Sequence, residues 1–378
     1  MVSLTEAELQ SKTIEWLRFP LAVLVVFIHM FPFVDIQNID YLNLNFYNFY
    51  DIIRTLISHI LGLVAVPCFF MFSGYWFFNK VKEWNKTVYF SKVKTRLKTL
   101  IVPYFMFNIA AVIFVIIQNI LKADGSIYPF LDNLRENWYS IFWNYNSWDD
   151  NIQNILGQTI QPSYGPFVLP LWFLRDLIVM VFISPVVYYL IKYAKIWGVV
   201  TLGLFYYTKI WIEIPGYSAQ LFLTAFFFFS LGAFFGINRK NIVVSLRKYQ
   251  NVWLVISLII MISGAYYYGT SYNTFFLPIF TLSGVISIIN ITSYYMKRGK
   301  LKVRETLSKA SFFLYCTHIF ILRSIKEAFD KIIGVDNTML LLIEYFIIPF
   351  LITGIILCVY LLMKRFTPKL LSLFTGSR

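Results

Sequence analysis

The stretch WLRFPLAVLVVFIHM (residues 16–30) decides how this chain is read. It is an apolar run of the kind that crosses a bilayer, yet it carries Arg18 and His29. An arginine at the centre of a membrane helix costs about 2.5–3.5 kcal/mol on insertion scales, so an ionisable group there is a functional candidate from the outset. Eleven helical steps turn the chain through about 1100°, within roughly 20° of three whole turns. Both side chains therefore share one face, roughly 16 Å apart along it. That face presents a fixed cation near one membrane surface and a titratable base deeper in. Snorkelling of Arg18 and an interhelical hydrogen bond to His29 form the ordinary alternative, and this stretch alone does not separate the two.

The rest of the chain agrees with a membrane reading. Of 378 residues, 58% are hydrophobic, 20% aromatic and 14% charged, with a mean hydropathy of +0.66. Such values lie outside the soluble globular range and predict an all-α, polytopic integral membrane protein. About ten apolar stretches are long enough to span: residues 16–34, 56–78, 100–121, 169–191, 196–212, 219–237, 252–268, 275–296, 311–325 and 338–363. Polar side chains within them imply a polar central cavity. The first apolar stretch follows a polar N-terminus without a small-residue cleavage site, so no cleavable signal peptide is expected. Cys68, Cys316 and Cys358 all fall within these stretches; they suggest no disulfide framework, and no cysteine–histidine spacing suggests a metal site.

The net charge of +14 is distributed in a way that argues against nucleic-acid binding. With the N-terminus inside and ten spans, the cytoplasmic segments hold about 24 Lys/Arg and 5 Asp/Glu, whereas the outer segments, counted with Lys209 and Arg323 at the span ends, hold about 7 Lys/Arg and 12 Asp/Glu. This is the positive-inside asymmetry, and it predicts cytoplasmic N- and C-termini in a cell inner membrane. The basic runs at 80–98 and 297–309 then serve as topology signals and contacts for anionic membrane lipids, with a landing surface for an anionic cytoplasmic substrate as the alternative. One membrane domain covers residues 1–378, and no appended soluble domain is read. Its longest outer segment, 122–168, is polar but rich in aromatics: Tyr128, Trp138, Tyr139, Phe142, Trp143, Tyr145, Trp148 and Tyr164. These residues suit an interfacial belt. They equally suit a platform for sugar rings, with Asp132, Glu136, Asp149 and Asp150 accepting from hydroxyls.

Further polar groups recur inside the apolar stretches. Ser73, Gly74 and Tyr75 end the second; Arg96 precedes the third, which holds Pro103 and Tyr104; Trp172, Arg175 and Asp176 lie in the fourth; Ser311, Tyr315 and His318 share a face of the ninth. Each has a structural explanation: close helix packing at Gly74, mutual neutralisation of Arg175 and Asp176, a satisfied interhelical histidine at His318. As a set, they resemble the acyltransferase family 3 of membrane-bound O-acyltransferases, which includes fucose 4-O-acetylase-like proteins. The resemblance rests on Arg18-(ten residues)-His29, FFMFSGY (69–75) after Pro67, Arg96 with Pro103-Tyr104, LWFLRD (171–176), and Ser311…Tyr315…His318, in the family order. Departures are Phe19-Pro20 where many members have a glycine after the arginine, and Lys98-Thr99 in place of a second arginine near Arg96.

The resemblance implies transfer of an acyl group, usually acetyl, from cytoplasmic acyl-CoA, with acetyl-CoA as co-substrate and no metal. The acceptor would be a hydroxyl of a cell-surface polysaccharide, glycolipid or lipid-linked sugar. On this reading His29 is the base or a transient acyl carrier, because imidazole titrates near neutrality. Arg18 joins it in catalysis and binds CoA phosphates together with Arg96, since a guanidinium matches phosphate bidentately. Ser73 and Tyr75 join that acyl-CoA site. Trp172, Arg175, Tyr315 and His318 are candidates for the cavity wall and for oxyanion donors, with Ser73 also a possible donor. A transporter or flippase for a lipid-linked glycan is the competing reading, with Glu344 as its proton-coupling group; a non-catalytic scaffold subunit is a third.

Overall fold

A computed structural model describes residues 4–30, 46–122, 127–144, 165–214, 216–333 and 338–376. Among these residues there is no β-sheet, only an isolated bridge between Ile214 and Tyr217. The helices are α1 (Glu6–Ile28), α2 (Phe46–Arg54), α3 (Ala65–Phe78), α4 (Lys86–Arg96), α5 (Val102–Lys122) and α6 (Ile127–Asn137). They continue as α7 (Trp172–Phe182), α8 (Ser184–Thr208), α9 (Ala219–Ile237), α10 (Ile242–Arg247) and α11 (Gln250–Tyr266). The last four are α12 (Asn273–Lys297), α13 (Glu305–Ile333), α14 (Thr338–Phe366) and α15 (Pro368–Thr375).

Helices occupy all ten apolar stretches. Among the described residues, five continuous helical segments are long and apolar enough to cross a membrane, and six if the pair α7–α8, bent by 63°, counts as one span. The bend has a local cause: Pro185 opens α8 and has no amide hydrogen to continue the ladder. Within α8 the helix breaks again at Lys195 (φ 51°, ψ −129°), between the fourth and fifth stretches read from the sequence. α1 and α13 carry the charges Lys12, Glu15 and Arg18, and Arg323, Lys326 and Glu327, which dilute their apolar character. The protein is a multi-pass helical membrane protein.

α1 starts well before its apolar stretch. Thr5 caps it, its hydroxyl accepting from the Glu8 amide while the Glu8 carboxylate accepts from the Thr5 amide. Gln10, almost fully buried, then ties three elements together: its Nε2 donates to the Tyr75 hydroxyl (2.7 Å) and its Oε1 accepts from the Ile242 amide (2.5 Å). At the other end the helix stops at Ile28, and His29 is its C-terminal cap.

The tightest helix pair is α3 against α9. A Cβ added at Gly74 would lie 2.0 Å from the Phe229 carbonyl oxygen, and one at Gly232 would lie 1.8 Å from that of Met71. The backbones touch because no side chain intervenes, which is how small residues join membrane helices where lipid offers no hydrophobic drive. Gly232-x-x-x-Gly236 is the partner motif to Ser73-Gly74-Tyr75. α1 packs against α3, α12, α13 and α14.

Candidate active site

His29 and His318 meet at the centre of the bundle, with ring centroids 5.1 Å apart and planes inclined by 37°. His318 is fully buried on α13, and its Nδ1 lies 2.8 Å from the Tyr315 carbonyl oxygen and 3.3 Å from that of Leu314. Carbonyls only accept, so Nδ1 carries the proton and Nε2 is left as a bare acceptor. Among the described residues Nε2 has no hydrogen-bond partner. A buried, unsatisfied acceptor beside a second imidazole is costly, and in a membrane interior it is a candidate for function.

His29 is half-buried and lines a cavity of about 370 Å³. Trp172 and Tyr315 share that wall, with Tyr206, Lys209 and Gln220. Trp172 packs on Phe70 (centroids 6.1 Å), and the Tyr315 hydroxyl donates to the Pro170 carbonyl at 2.5 Å. Tyr315 is thus fixed by the short turn Leu169–Leu171 that precedes α7, its proton already engaged and its oxygen able to accept again.

Arg18 does not line this cavity. It is exposed on α1, with Glu15 near enough to act on its charge. Arg96, at the end of α4, lies near enough for the two like charges to repel. Among the described residues no ion pair holds either guanidinium. Two unpaired arginines brought together form a site that an anion would stabilise. A five-residue π-helical turn, Leu97–Ile101, follows Arg96 directly, a geometry frequent at functional sites.

The remaining candidates sit apart from both regions. Tyr75 is tied to Gln10, and Ser73, half-buried on α3, has no hydrogen bond among the described residues. Arg175 is 2% exposed and locked in place: its Nε donates to Asp176 Oδ1 (2.8 Å), its Nη1 donates to the Trp143 carbonyl (2.7 Å), and its guanidinium lies over the Trp143 and Tyr217 rings. That pair anchors the outer segment to the bundle and does not reach the cavity wall. In the outer segment Tyr128, Trp138 and Tyr139 are exposed, while Phe142 packs on Phe105; Tyr145, Trp148, Asp149, Asp150 and Tyr164 lie outside the described residues. Glu344 is held by Lys326 (2.8 Å), so it is not a free coupling carboxylate. Sequence reasoning missed Lys209, Tyr206 and Gln220 on the cavity wall, because each lies in or at the edge of an apolar run like many others.

Residues 11–364 match the family model described as an acyltransferase domain. The chain is 24% identical over 342 residues to the succinoglycan biosynthesis protein ExoH of Rhizobium meliloti (strain 1021), covering 88% of this chain and 84% of that protein. No solved structure matches. With a helical bundle and a family model matched over nearly its full length, this chain belongs to acyltransferase family 3 and is a membrane acyltransferase.

Proposed function

We propose that this acyltransferase moves an acyl group, acetyl in the simplest case, from cytoplasmic acyl-CoA to a hydroxyl of a cell-surface polysaccharide or a lipid-linked sugar. The observation that carries the reading is His29 on the wall of the 370 Å³ cavity, with the buried ring of His318 behind it. Arg18 and Arg96 bind the CoA phosphates at the cytoplasmic side, and the pantetheine arm covers the roughly 16 Å along α1 that bring the thioester to His29. The acceptor enters the cavity from the outer side, where Trp172 and Tyr206 offer flat faces to a sugar ring. The association of ExoH with a polysaccharide supports a glycan acceptor.

A small rotation lets one His29 N–H donate to His318 Nε2, leaving the other His29 nitrogen bare and aimed at the cavity. That nitrogen takes the proton of the acceptor hydroxyl as its oxygen attacks the thioester carbonyl. Collapse of the tetrahedral intermediate breaks the C–S bond, and the CoA thiolate leaves with the proton returned from His29. His318 thus fixes the His29 tautomer and steadies its protonated form, the role a carboxylate fills in hydrolytic triads. Incubation of the purified protein with radiolabelled acetyl-CoA and bacterial polysaccharides tests the reading. Acceptor-dependent CoA release, lost in His29→Ala, is expected; a folded wild-type protein that binds glycan but never releases CoA would favour a transporter.

A further inference from the structure

Lys209 stands on the same cavity wall as His29. It follows α8 in the left-handed conformation (φ 59°, ψ 16°), its amide donating to the Phe205 carbonyl at 2.8 Å. Glycine is the inexpensive residue at such a position, and a residue with a side chain costs of order 1 kcal/mol there. A lysine at a helix C-terminus is ordinarily explained by the helix dipole. That explanation accounts for a cation over the last turn. It does not account for one on a wall built with His29, Gln220 and Thr274, which come from three other elements.

Among the described residues no carboxylate pairs with Lys209. The cavity around it is mainly apolar, with the aromatic faces of Trp172 and Tyr206 and the neutral polar groups of Gln220 and Thr274. Lys209 is half-buried there, and the complement of its ammonium is an anion. The arginines set apart for the donor's phosphates are not on this wall, so the donor does not supply that anion.

We propose that Lys209 selects acceptors carrying a carboxylate, so that the sugar acylated is a uronic acid or lies next to one. This rests on the acyl-transfer reading for the role of the cavity, and it adds the charge of the acceptor. The aromatic walls take the ring faces, Gln220 and Thr274 exchange hydrogen bonds with hydroxyls, and the Lys209 ammonium pairs with the carboxylate, leaving the reacting hydroxyl toward His29.

The test measures binding without an acyl donor, so its result does not depend on transfer. Full-length protein in phosphatidylcholine nanodiscs is titrated with two fluorescent tetrasaccharides, identical except that one ends in glucuronate and the other in glucose. A charge-assisted hydrogen bond predicts at least about tenfold tighter binding of the acidic sugar. The preference falls as ionic strength rises, vanishes in Lys209→Gln and persists in Lys209→Arg, with thermal melting of each variant reporting that it is folded. Equal affinity of the wild type for the two sugars overturns the proposal, as does a preference that survives Lys209→Gln. Equal affinity together with loss of co-purified phosphatidylglycerol from Lys209→Gln assigns the cation to lipid and also overturns it. If acidic sugars bind selectively but no CoA is ever released, the transfer reading fails and the anion site stands.

Discussion

His318 offers a bare Nε2 to the ring of His29, with the two centroids 5.1 Å apart and the Nδ1 proton of His318 committed to the Tyr315 carbonyl. This places His318 as a positioning residue for the base. His29→Ala is expected to lower acyl transfer by about 10²–10⁴-fold, the usual contribution of a general base. His318→Ala is expected to lower kcat by a smaller factor while leaving KM for acyl-CoA unchanged, and to alter the pH–rate profile. Steady-state CoA release across pH checks both. An unchanged profile in His318→Ala with only a lower melting temperature would reduce His318 to packing.

Arg18 and Arg96 converge with no carboxylate in ion-pair contact with either among the described residues, although Glu15 acts on Arg18 from further off, so an anion is the expected third member. Arg18→Lys and Arg96→Lys keep the charge but lose the planar fork. Each is expected to raise KM for acyl-CoA by about tenfold, in line with the loss of a charge-assisted hydrogen bond. Acyl-pantetheine, which lacks the nucleotide phosphates, supplies the control. The wild type should use it poorly, and the two substitutions should leave its use almost unaltered.

The positions of the spans were legible because lipid imposes one requirement on every crossing helix, a long apolar run, and that requirement is local. What tertiary structure decides was not. α1 starts at Glu6 in a polar segment because Gln10 finds partners in Tyr75 and Ile242, elements far away in sequence. His29 and His318 were each suspect for their cost in an apolar stretch, yet a single sequence carries no information that pairs them. Arg175 looked like a site residue for the same cost, and its actual role emerges only from Trp143 and Tyr217, which come from two outer segments. Lys209 was hidden because a lysine ending an apolar run resembles every other flanking cation.

Buried Arg175 is a structural anchor, and its variants should differ in kind from those of Arg18. Removing one partner of a buried pair costs about 3–5 kcal/mol because the other charge is left uncompensated. Arg175→Met or Asp176→Asn should therefore lower the melting temperature sharply and expose the 127–144 segment to protease. Arg175→Lys should not rescue it, since lysine cannot bridge Asp176 and the Trp143 carbonyl while covering two rings. Arg18→Lys should lose activity with its melting temperature intact.

The α3–α9 contact predicts a contrast between glycines. Gly232→Ala forces a methyl to 1.8 Å from the Met71 carbonyl oxygen, and Gly74→Ala forces one to 2.0 Å from that of Phe229. Both atoms are backbone and cannot swing away, so the helices must part, at a cost expected to exceed the 1–3 kcal/mol typical of overpacking. Gly354→Ala on α14 meets nothing within 4 Å and should be neutral or slightly stabilising. Membrane yield and thermal melting of the three variants check the ranking; equal behaviour would mean that α3 and α9 are not in backbone contact.

Glu344 separates the enzyme from a proton-coupled transporter. It is 3% exposed and paired with Lys326, which also reaches Asp330 at 3.3 Å, so the group joins α13 to α14. In an acyltransferase this pair is structural. Lys326→Met should destabilise the protein by leaving a carboxylate buried alone, and the double change Lys326→Met with Glu344→Leu should recover most of that loss, because a buried pair and an apolar pair of similar volume differ little. Acyl transfer by the recovered double variant should approach that of the wild type. A folded double variant with no transfer would instead assign Glu344 or Lys326 to the reaction, and a proton flux that stops in Glu344→Gln would point to transport.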